Sequence, residues 1–261
     1  MASKVAKRRG RLREDRISQM PDDILVPILS LLDDTFSAVQ TTVLSKRWNN
    51  LWVPISRIRC FRRCPPGYYE NQRDDRLMTF VDRVVSLHDS SDIREFEFVY
   101  DNRDWERAPM IADDYARIHR CISTVVEHNV VELYLTISNR FDAEPEAPFL
   151  LPESLFMCKP LAVLKLVFIR SMSFSNCPTE ECFPSLKVLD IRVDDTDPHH
   201  PNFVQNLFTC CPVLEDLRID AILRDYNISI SAPELKTLRI SMSSFDVIFF
   251  INAPKLEKLV L

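Results

Sequence analysis

A short hydrophobic pattern recurs along the last two thirds of the chain, in copies that begin 21 to 37 residues apart. The recurring phrase is Leu-x-x-Leu-x-Ile, and four copies that follow a proline by two residues begin at Leu186, Leu214, Leu235 and Leu256. Looser copies, separated by longer steps, begin at Ile93, Val130 and Leu161. A recurring unit of this length predicts a repeat solenoid, a class of protein that usually presents a binding surface.

Strand alternation divides each copy between two faces, because successive side chains of a strand point to opposite sides. The fourth and sixth positions are apolar in every copy, from Phe96 and Phe98 to Leu259 and Leu261, and predict the core side of a parallel sheet. The fifth positions should form a column on the open side, acidic early and basic late. These candidate substrate-binding residues are Glu97, Tyr134, Lys165, Asp190, Arg218 and Arg239. The alternative is that the column is simply solvated.

A second pattern, at helical spacing, precedes the repeats. After Pro21, Asp22 and Asp23, the apolar residues form a stripe too wide for a lone surface helix, and Pro27 is expected to distort its first turn. A second helix is predicted over about residues 36–43, and a third after Ser45 as N-cap. Three helices within some forty residues predict a small module that docks on a neighbour or a partner.

The segments between these patterns complete the predicted organisation. Residues 57–76 are polar, contain Pro65-Pro66-Gly67 and predict a linker. Apolar spacing then predicts a helix that includes Leu77 and Leu87 and another that includes Tyr115 and Val126, each ahead of a strand. Toward the C-terminus the steps shorten to 21 residues, so the outer side should change from helix to extended chain.

Charge is unevenly distributed along the 261 residues. The first 13 residues hold six basic residues and no acid; the remainder carries −11, since the whole chain carries −5. This predicts a basic, disordered tail over residues 1–14, which is a nuclear-entry signal, a nucleic-acid-binding arm or simply solvated. The acidic remainder disfavours nucleic acid as the main partner.

Composition excludes several classes of function. The chain has only two glycines, Gly10 and Gly67, which disfavours nucleotide-binding loops. Eight cysteines without a secretory segment predict a reduced setting, in the nucleus or the cytoplasm, and the longest apolar run, residues 247–251, is too short for a membrane helix. The cysteine pairs lack zinc-ligand spacing, and no Ser, His and Asp grouping stands out. We therefore predict a soluble, non-catalytic protein without a metal or cofactor.

The two patterns together resemble a known family. Residues 151–156, 211–219 and 232–238 look like the irregular leucine-rich repeats of plant F-box/leucine-rich-repeat proteins, although the asparagine usual after the strand is missing. Residues 15–25, 28–32 and 43–52 are similar to an F-box. The resemblance implies an α/β fold: an F-box of three helices over residues 15–55, a linker over 56–76, and an irregular leucine-rich-repeat solenoid with a curved parallel sheet over 77–261.

The same resemblance implies a function. Such a chain would be the substrate-recognition subunit of an SCF-type (cullin-RING) E3 ubiquitin ligase, whose F-box docks on a Skp-family adaptor and through it on a cullin, and whose repeats bind an unknown protein substrate. The residues expected to enter the adaptor's groove are Pro21, Ile24, Leu25, Ile28 and Leu29. Those expected to complete or support that surface are Val39, Leu44, Trp48, Leu51 and Trp52.

Two alternatives stay open at this point. The adaptor-facing residues could instead form the core of the small helical module, which we favour for Trp48 and Trp52 and disfavour for Ile28 and Leu29. The chain could also be a non-degradative interaction scaffold that delivers no substrate. The last copy ends on the core position Leu261, so we expect either a longer protein or a last strand that something else covers.

Overall fold

The computed structural model describes residues 17, 19–61, 76–88, 92–101, 110–138, 149–169, 172–173, 182–194, 211–222, 227–242 and 248–261. The basic segment predicted to be a tail and the Pro65-Pro66-Gly67 segment lie outside the described residues. Within the described ranges, no helix is long and apolar enough to cross a membrane.

The N-terminal module contains two α-helices and two short 3-10 helices. Helix α1 spans Asp22–Ser30 and continues through Pro27, and α2 spans Thr35–Gln40. The 3-10 helices span Thr41–Val43 and Lys46–Asn50. The third predicted α-helix is therefore wrong in type: Ser45 has extended backbone but makes no side-chain capping hydrogen bond, so the cap on which the prediction rested is missing.

Eight parallel strands form the main sheet, in the order β1-β2-β3-β5-β7-β8-β10-β12. The strands span Arg57–Phe61 (β1), Glu95–Asp101 (β2), Glu132–Ser138 (β3), Val163–Ile169 (β5), Val188–Asp194 (β7), Asp216–Ile222 (β8), Thr237–Met242 (β10) and Lys258–Val260 (β12). Each strand pairs with the next copy of the phrase, position for position, so that Leu189 faces Leu217 and Leu217 faces Leu238. The predicted parallel sheet and its register are confirmed.

Strand β1 corrects the predicted linker. It lies within residues 57–76 and pairs in parallel with β2, Ile58 beside Phe96. The physical reason is an eighth copy of the phrase, Ile55-x-x-Ile58-x-Cys60, whose three apolar side chains are all buried. The sheet therefore begins directly after the N-terminal module rather than beyond a long connection.

The outer side of the sheet changes along the chain as predicted. It begins with α3 (Arg76–Leu87) and α4 (Ala112–Glu127), and the short α5 (Glu153–Phe156) follows. Strand β4 (Phe149–Leu150) pairs with β6 (Met172–Ser173), and β9 (Asn227–Ser231) pairs with β11 (Ile248–Asn252). An ion pair of 2.7 Å between Arg117 and Asp82 joins α4 to α3.

One buried cluster runs from the N-terminal module into the sheet. It includes Leu25 and Trp48 at one end and continues through the core positions of the phrase to Ile240. In the copies from Phe96 to Ile240 the described core positions are at most 6% exposed. In the last copy, however, Leu259 is 48% and Leu261 is 84% exposed, because no further strand pairs with β12 in the described part of the chain.

The turn before each late strand explains the recurring proline. The N–H of Leu186 donates to the carbonyl of Phe183, and the same four-residue turn precedes the copies at Leu214, Leu235 and Leu256. Proline is the second residue of each turn, where its fixed φ suits the required backbone. The residue after the first leucine then offers one carbonyl to two N–H groups of the next copy: Lys187 accepts from Glu215 at 2.9 Å and from Asp216 at 3.0 Å.

Candidate protein-interaction surfaces

Helix α1 carries apolar residues on two faces. Leu25 and Leu29, four residues apart, are buried in the core. Ile24 and Ile28, also four residues apart, are 48% and 45% exposed, and Leu31 at the end of the helix is 79% exposed. We call Ile24, Ile28 and Leu31 the outer stripe. The outer stripe is an apolar surface at helical spacing that a partner could cover.

Arg47 holds the start of α1 against the segment that carries the second 3-10 helix. Its guanidinium donates to the carbonyl of Met20 and forms an ion pair of 2.5 Å with Asp22. Val43 and Leu44, a few residues before Arg47, are both exposed. These contacts fix the position of Pro21, which is also exposed, at the end of the outer stripe.

The predicted adaptor-facing residues thus fall into two groups. Pro21, Ile24, Ile28 and Leu44 are exposed, and Val39 is partly buried. Trp48 and Trp52, for which a core position was favoured, are buried. A core position was disfavoured for Ile28 and Leu29; Ile28 is indeed exposed, but Leu29 is 3% exposed because its side of α1 faces inward. The remaining buried members are Leu25 and Leu51. The buried group can support a binding surface but cannot itself contact a partner while the module stays folded.

The open face of the sheet carries the predicted column in register. Glu97 lies beside Tyr134, Tyr134 beside Lys165, and so on through Asp190, Arg218 and Arg239 to Val260. Strand β1 adds Arg59 beside Glu97, a member that the sequence reasoning missed. The signal that could have found it is the Ile55-x-x-Ile58-x-Cys60 spacing, which has an arginine at its fifth position.

The early end of the column is partly neutralised. Glu95 forms ion pairs of 2.6 Å with Arg57 and 2.8 Å with Arg59, and Arg59 also lies 3.5 Å from Glu97. Burial raises the pKa of Glu97, and Arg59 partly counteracts that rise. The predicted acidic end is therefore weaker than expected: Arg57 and Arg59, from the segment that had been taken for a linker, offset two of the three acids Glu95, Glu97 and Glu132.

The middle of the column is a packed polar cluster. The Tyr134 hydroxyl donates a hydrogen bond of 2.6 Å to Glu132, and the Lys165 ammonium lies 5.1 Å from the centre of the Tyr134 ring. Burial, followed by the hydrogen bond to Glu132, raises the pKa of Tyr134. This tyrosine therefore stays protonated and acts as a hydrogen-bond donor at neutral pH.

Arg218 is the available cation at the late end. The two acids that flank it on β8 are engaged elsewhere: Asp216 pairs with Arg239 at 3.0 Å and Asp220 with Arg192 at 3.0 Å. Arg218 itself is exposed, and no carboxylate lies within ion-pair distance of it in the described part of the chain. Its guanidinium can therefore accept a carboxylate from a partner without breaking an internal pair.

A charge ladder that the sequence reasoning missed runs along the edge where the strands begin. Lys187 lies 3.6 Å from Glu215, which pairs with Lys236 at 2.5 Å, and Lys255 pairs with Glu234 at 2.7 Å. The hydrogen bond and charge of Lys236 lower the pKa of Glu215, and the same contact raises the pKa of Lys236. The signal in the sequence is the alternation of sign at the second position, in Lys187, Glu215 and Lys236, and at the position before the first leucine, in Glu234 and Lys255.

Five described cysteines, at positions 60, 121, 158, 182 and 211, are buried and unbridged. Burial raises the pKa of Cys60 to about 12 and also raises that of Cys121. Among the described residues, no group of three or more His, Cys, Asp or Glu side chains could hold a metal ion. Cys64, Cys177, His199 and His200 lie outside these ranges.

Comparison with known proteins now gives the family. Residues 118–261, more than half of the chain, match the sequence model of the leucine-rich repeats of FBD-associated F-box protein At5g56370. The chain belongs to this family. The resemblance to plant F-box/leucine-rich-repeat proteins is thereby confirmed. The family is typically non-catalytic, and the matched names indicate no catalytic family.

Relatives in Arabidopsis thaliana match nearly the whole chain. FBD-associated F-box protein At4g10400 is 31% identical over 93% of the chain and 54% of its own length. F-box/LRR-repeat protein At1g55660 is 32% identical over 88% of the chain and 58% of its length, and F-box/FBD/LRR-repeat protein At5g56420 is 32% identical over 94% and 54%. The chain thus spans about half the length of these relatives. No solved structure matches it.

Proposed function

We propose that this chain is the substrate-recognition subunit of an SCF-type E3 ubiquitin ligase and acts in the nucleus or the cytoplasm. In this proposal, α1, α2 and the two 3-10 helices serve as the F-box that docks on a Skp-family adaptor and, through it, on a cullin. The copies of the phrase form a leucine-rich-repeat solenoid that holds the target protein. The observation that carries the proposal is the exposed outer stripe of α1, in a chain whose relatives are named F-box proteins.

The size of the stripe indicates how far the adaptor interface must extend. Full burial of an aliphatic side chain contributes roughly 1.5 to 3 kcal/mol. Ile24 and Ile28 are already about half buried and Leu31 is mostly exposed, so covering the outer stripe supplies about 4 kcal/mol of binding free energy. A micromolar complex needs about 8 kcal/mol after the cost of association. The interface should therefore include Val43 and Leu44 as well.

The test of adaptor docking is a single charge placed in the stripe. Ile28→Asp should weaken binding of a purified Skp-family adaptor at least a hundredfold in calorimetry, because an aspartate would be buried without a partner. Met157→Asp is the matched control, since Met157 is also exposed, at 59%, but lies at the end of α5. Circular dichroism should show both variants folded. Equal adaptor affinity for the two variants would sink this part of the proposal.

The proposed substrate surface is the open face around Glu97, Tyr134, Lys165, Asp190, Arg218 and Arg239. Arg218→Glu tests this surface more directly than Arg239→Glu. Arg239 is already paired with Asp216, so reversing the charge of Arg239 would also disturb the sheet. Arg120→Glu, at an exposed position on α4, is the control.

The readout is the set of proteins ubiquitinated in a plant extract by the reconstituted ligase, quantified by mass spectrometry. Arg218→Glu should remove proteins from that set, while Arg120→Glu should leave it unchanged. An identical set for Arg218→Glu would place substrate binding elsewhere. Adaptor binding without any chain-dependent ubiquitination would favour a non-degradative scaffold instead.

A further inference from the structure

A groove lies where the N-terminal module meets the first helix of the repeat region. It encloses about 1000 Å³ between the segment that carries α2 and the outer side of α3. Its apolar lining includes Phe36, Val39, Trp52, Phe80, Val84 and Leu87. On α3 the lining residues recur at helical spacing, so one side of that helix forms a wall of the groove along two turns. We call this the junction groove.

The floor of the junction groove is fixed, whereas its rim is open to solvent. Trp52 and Val84 are buried, and the rings of Phe36 and Phe80 meet edge to face with their centres 5.5 Å apart. Yet Phe36 is still 44% and Leu87 is 52% exposed. Large apolar side chains that are half exposed over a buried apolar floor form the arrangement found at the centre of protein interfaces.

The permanent charge on the described residues that line the junction groove is positive. Among the described residues that line it, Arg83 alone carries a permanent charge, and no lining residue is an acid. Arg83 is exposed and belongs to none of the ion pairs in the described part of the chain. A partner that buries the apolar rim would also bring its own atoms close to this guanidinium, so an acidic side chain on the partner would be favoured.

The shape of the groove selects the form of the partner. A small molecule is usually enclosed over most of its surface, which this open groove cannot do. An extended peptide would need a row of backbone donors and acceptors, whereas the α3 wall offers at most the carbonyls of its last turn, because the rest of its backbone is paired within the helix. A helix satisfies its own backbone and can lay a stripe of apolar side chains along such a groove.

We propose that the junction groove binds an acidic amphipathic helix of a partner protein, with the helix's apolar face on Phe36, Phe80 and Leu87 and a carboxylate on Arg83. This site is separate from the outer stripe of α1. Val39 and Trp52, which the sequence assigned to the adaptor surface, line the groove, so the test must distinguish the two partners.

The test is a selection from a phage-displayed library of helical peptides, with the whole 261-residue chain as bait. Enriched peptides should carry apolar residues at i, i+3, i+4 and i+7 and an Asp or Glu beside that stripe. The synthetic form of the best peptide should bind at least tenfold more weakly to Leu87→Asp and to Arg83→Glu, measured by fluorescence anisotropy. Arg120→Glu, the same change on α4, should bind it as the wild type does.

A charge reversal on both sides makes the test specific. Replacing the peptide's acid with Lys should weaken binding to the wild type and restore binding to Arg83→Glu. Enriched peptides without an acid, or equal binding to the Leu87→Asp variant, would overturn the proposal. So would a loss of Skp-family adaptor affinity in Leu87→Asp, because the groove would then belong to the adaptor interface. Both altered residues are exposed, and circular dichroism verifies that the variants fold.

Discussion

Removing a leucine from the fourth position of the phrase should cost far more stability inside the sheet than in its last strand. Leu217 and Leu259 occupy this position on β8 and β12, in register with Leu238 between them. Leu217 is fully buried, whereas Leu259 is 48% exposed. Leu→Ala therefore makes the same chemical change in two environments that differ in burial.

The expected costs follow from burial. Each buried methylene contributes about 0.8 kcal/mol, so truncation at Leu217 loses about 2.4 kcal/mol of transfer free energy. The cavity left in a closed core raises the cost to about 3 to 4 kcal/mol. At Leu259 about half of the side chain already contacts water and no closed cavity forms, so the cost should be about 1 kcal/mol.

Urea unfolding followed by circular dichroism measures both costs. The free energy of unfolding in water should fall at least 2 kcal/mol more for Leu217→Ala than for Leu259→Ala, by the estimates above. Equal losses would refute the reasoning, since they would mean that burial at the two positions is alike in solution.

Two further predictions rest on titratable groups. Cys60 should stay unmodified by iodoacetamide at pH 8 in the folded chain and react after urea unfolding, because burial raises its pKa to about 12; peptide mass mapping checks this, and rapid labelling of folded protein would contradict it. Glu215, whose pKa Lys236 lowers, stabilises the fold above the carboxyl's unfolded pKa and stops doing so as pH falls through the lowered value. The urea midpoint of Glu215→Gln should therefore lie below that of the wild type at pH 7 and equal it in acid. A difference in midpoint that is the same at both pH values would show that the Glu215–Lys236 ion pair is not its cause.

The sheet could be predicted from the sequence because its signal is local. Alternation within six residues fixes which side chains face inward, and repetition fixes the register, so Leu189, Leu217 and Leu238 had to lie side by side. Strand β1 escaped because its copy directly follows the apolar end of the N-terminal module, ends in Cys60 rather than an isoleucine, and lies 38 residues before the copy at Ile93. A repeat is recognised by its neighbours, and this copy has a neighbour on one side only.

The interaction surfaces were predictable only in part. Ile24 with Ile28 and Leu25 with Leu29 are equivalent pairs at helical spacing, so nothing local decides which pair faces inward; packing against the rest of the module decides it. The junction groove could not be predicted either, because Phe36 and Phe80 lie far apart in the sequence and meet only when α2 packs beside α3.

The carbonyl shared between neighbouring copies sets a rule for redesigning this protein. At seven successive steps, from Ser56 to Lys236, one carbonyl receives the N–H groups of the second and third residues of the next copy. Those two positions must keep their N–H groups whatever side chain they carry, so proline is forbidden there although it recurs three residues before the first of them. Neighbouring copies make this shared-carbonyl contact whatever the number of residues between them. Extra residues are therefore best inserted on the outer side, where new loops could carry new specificity over an unaltered sheet.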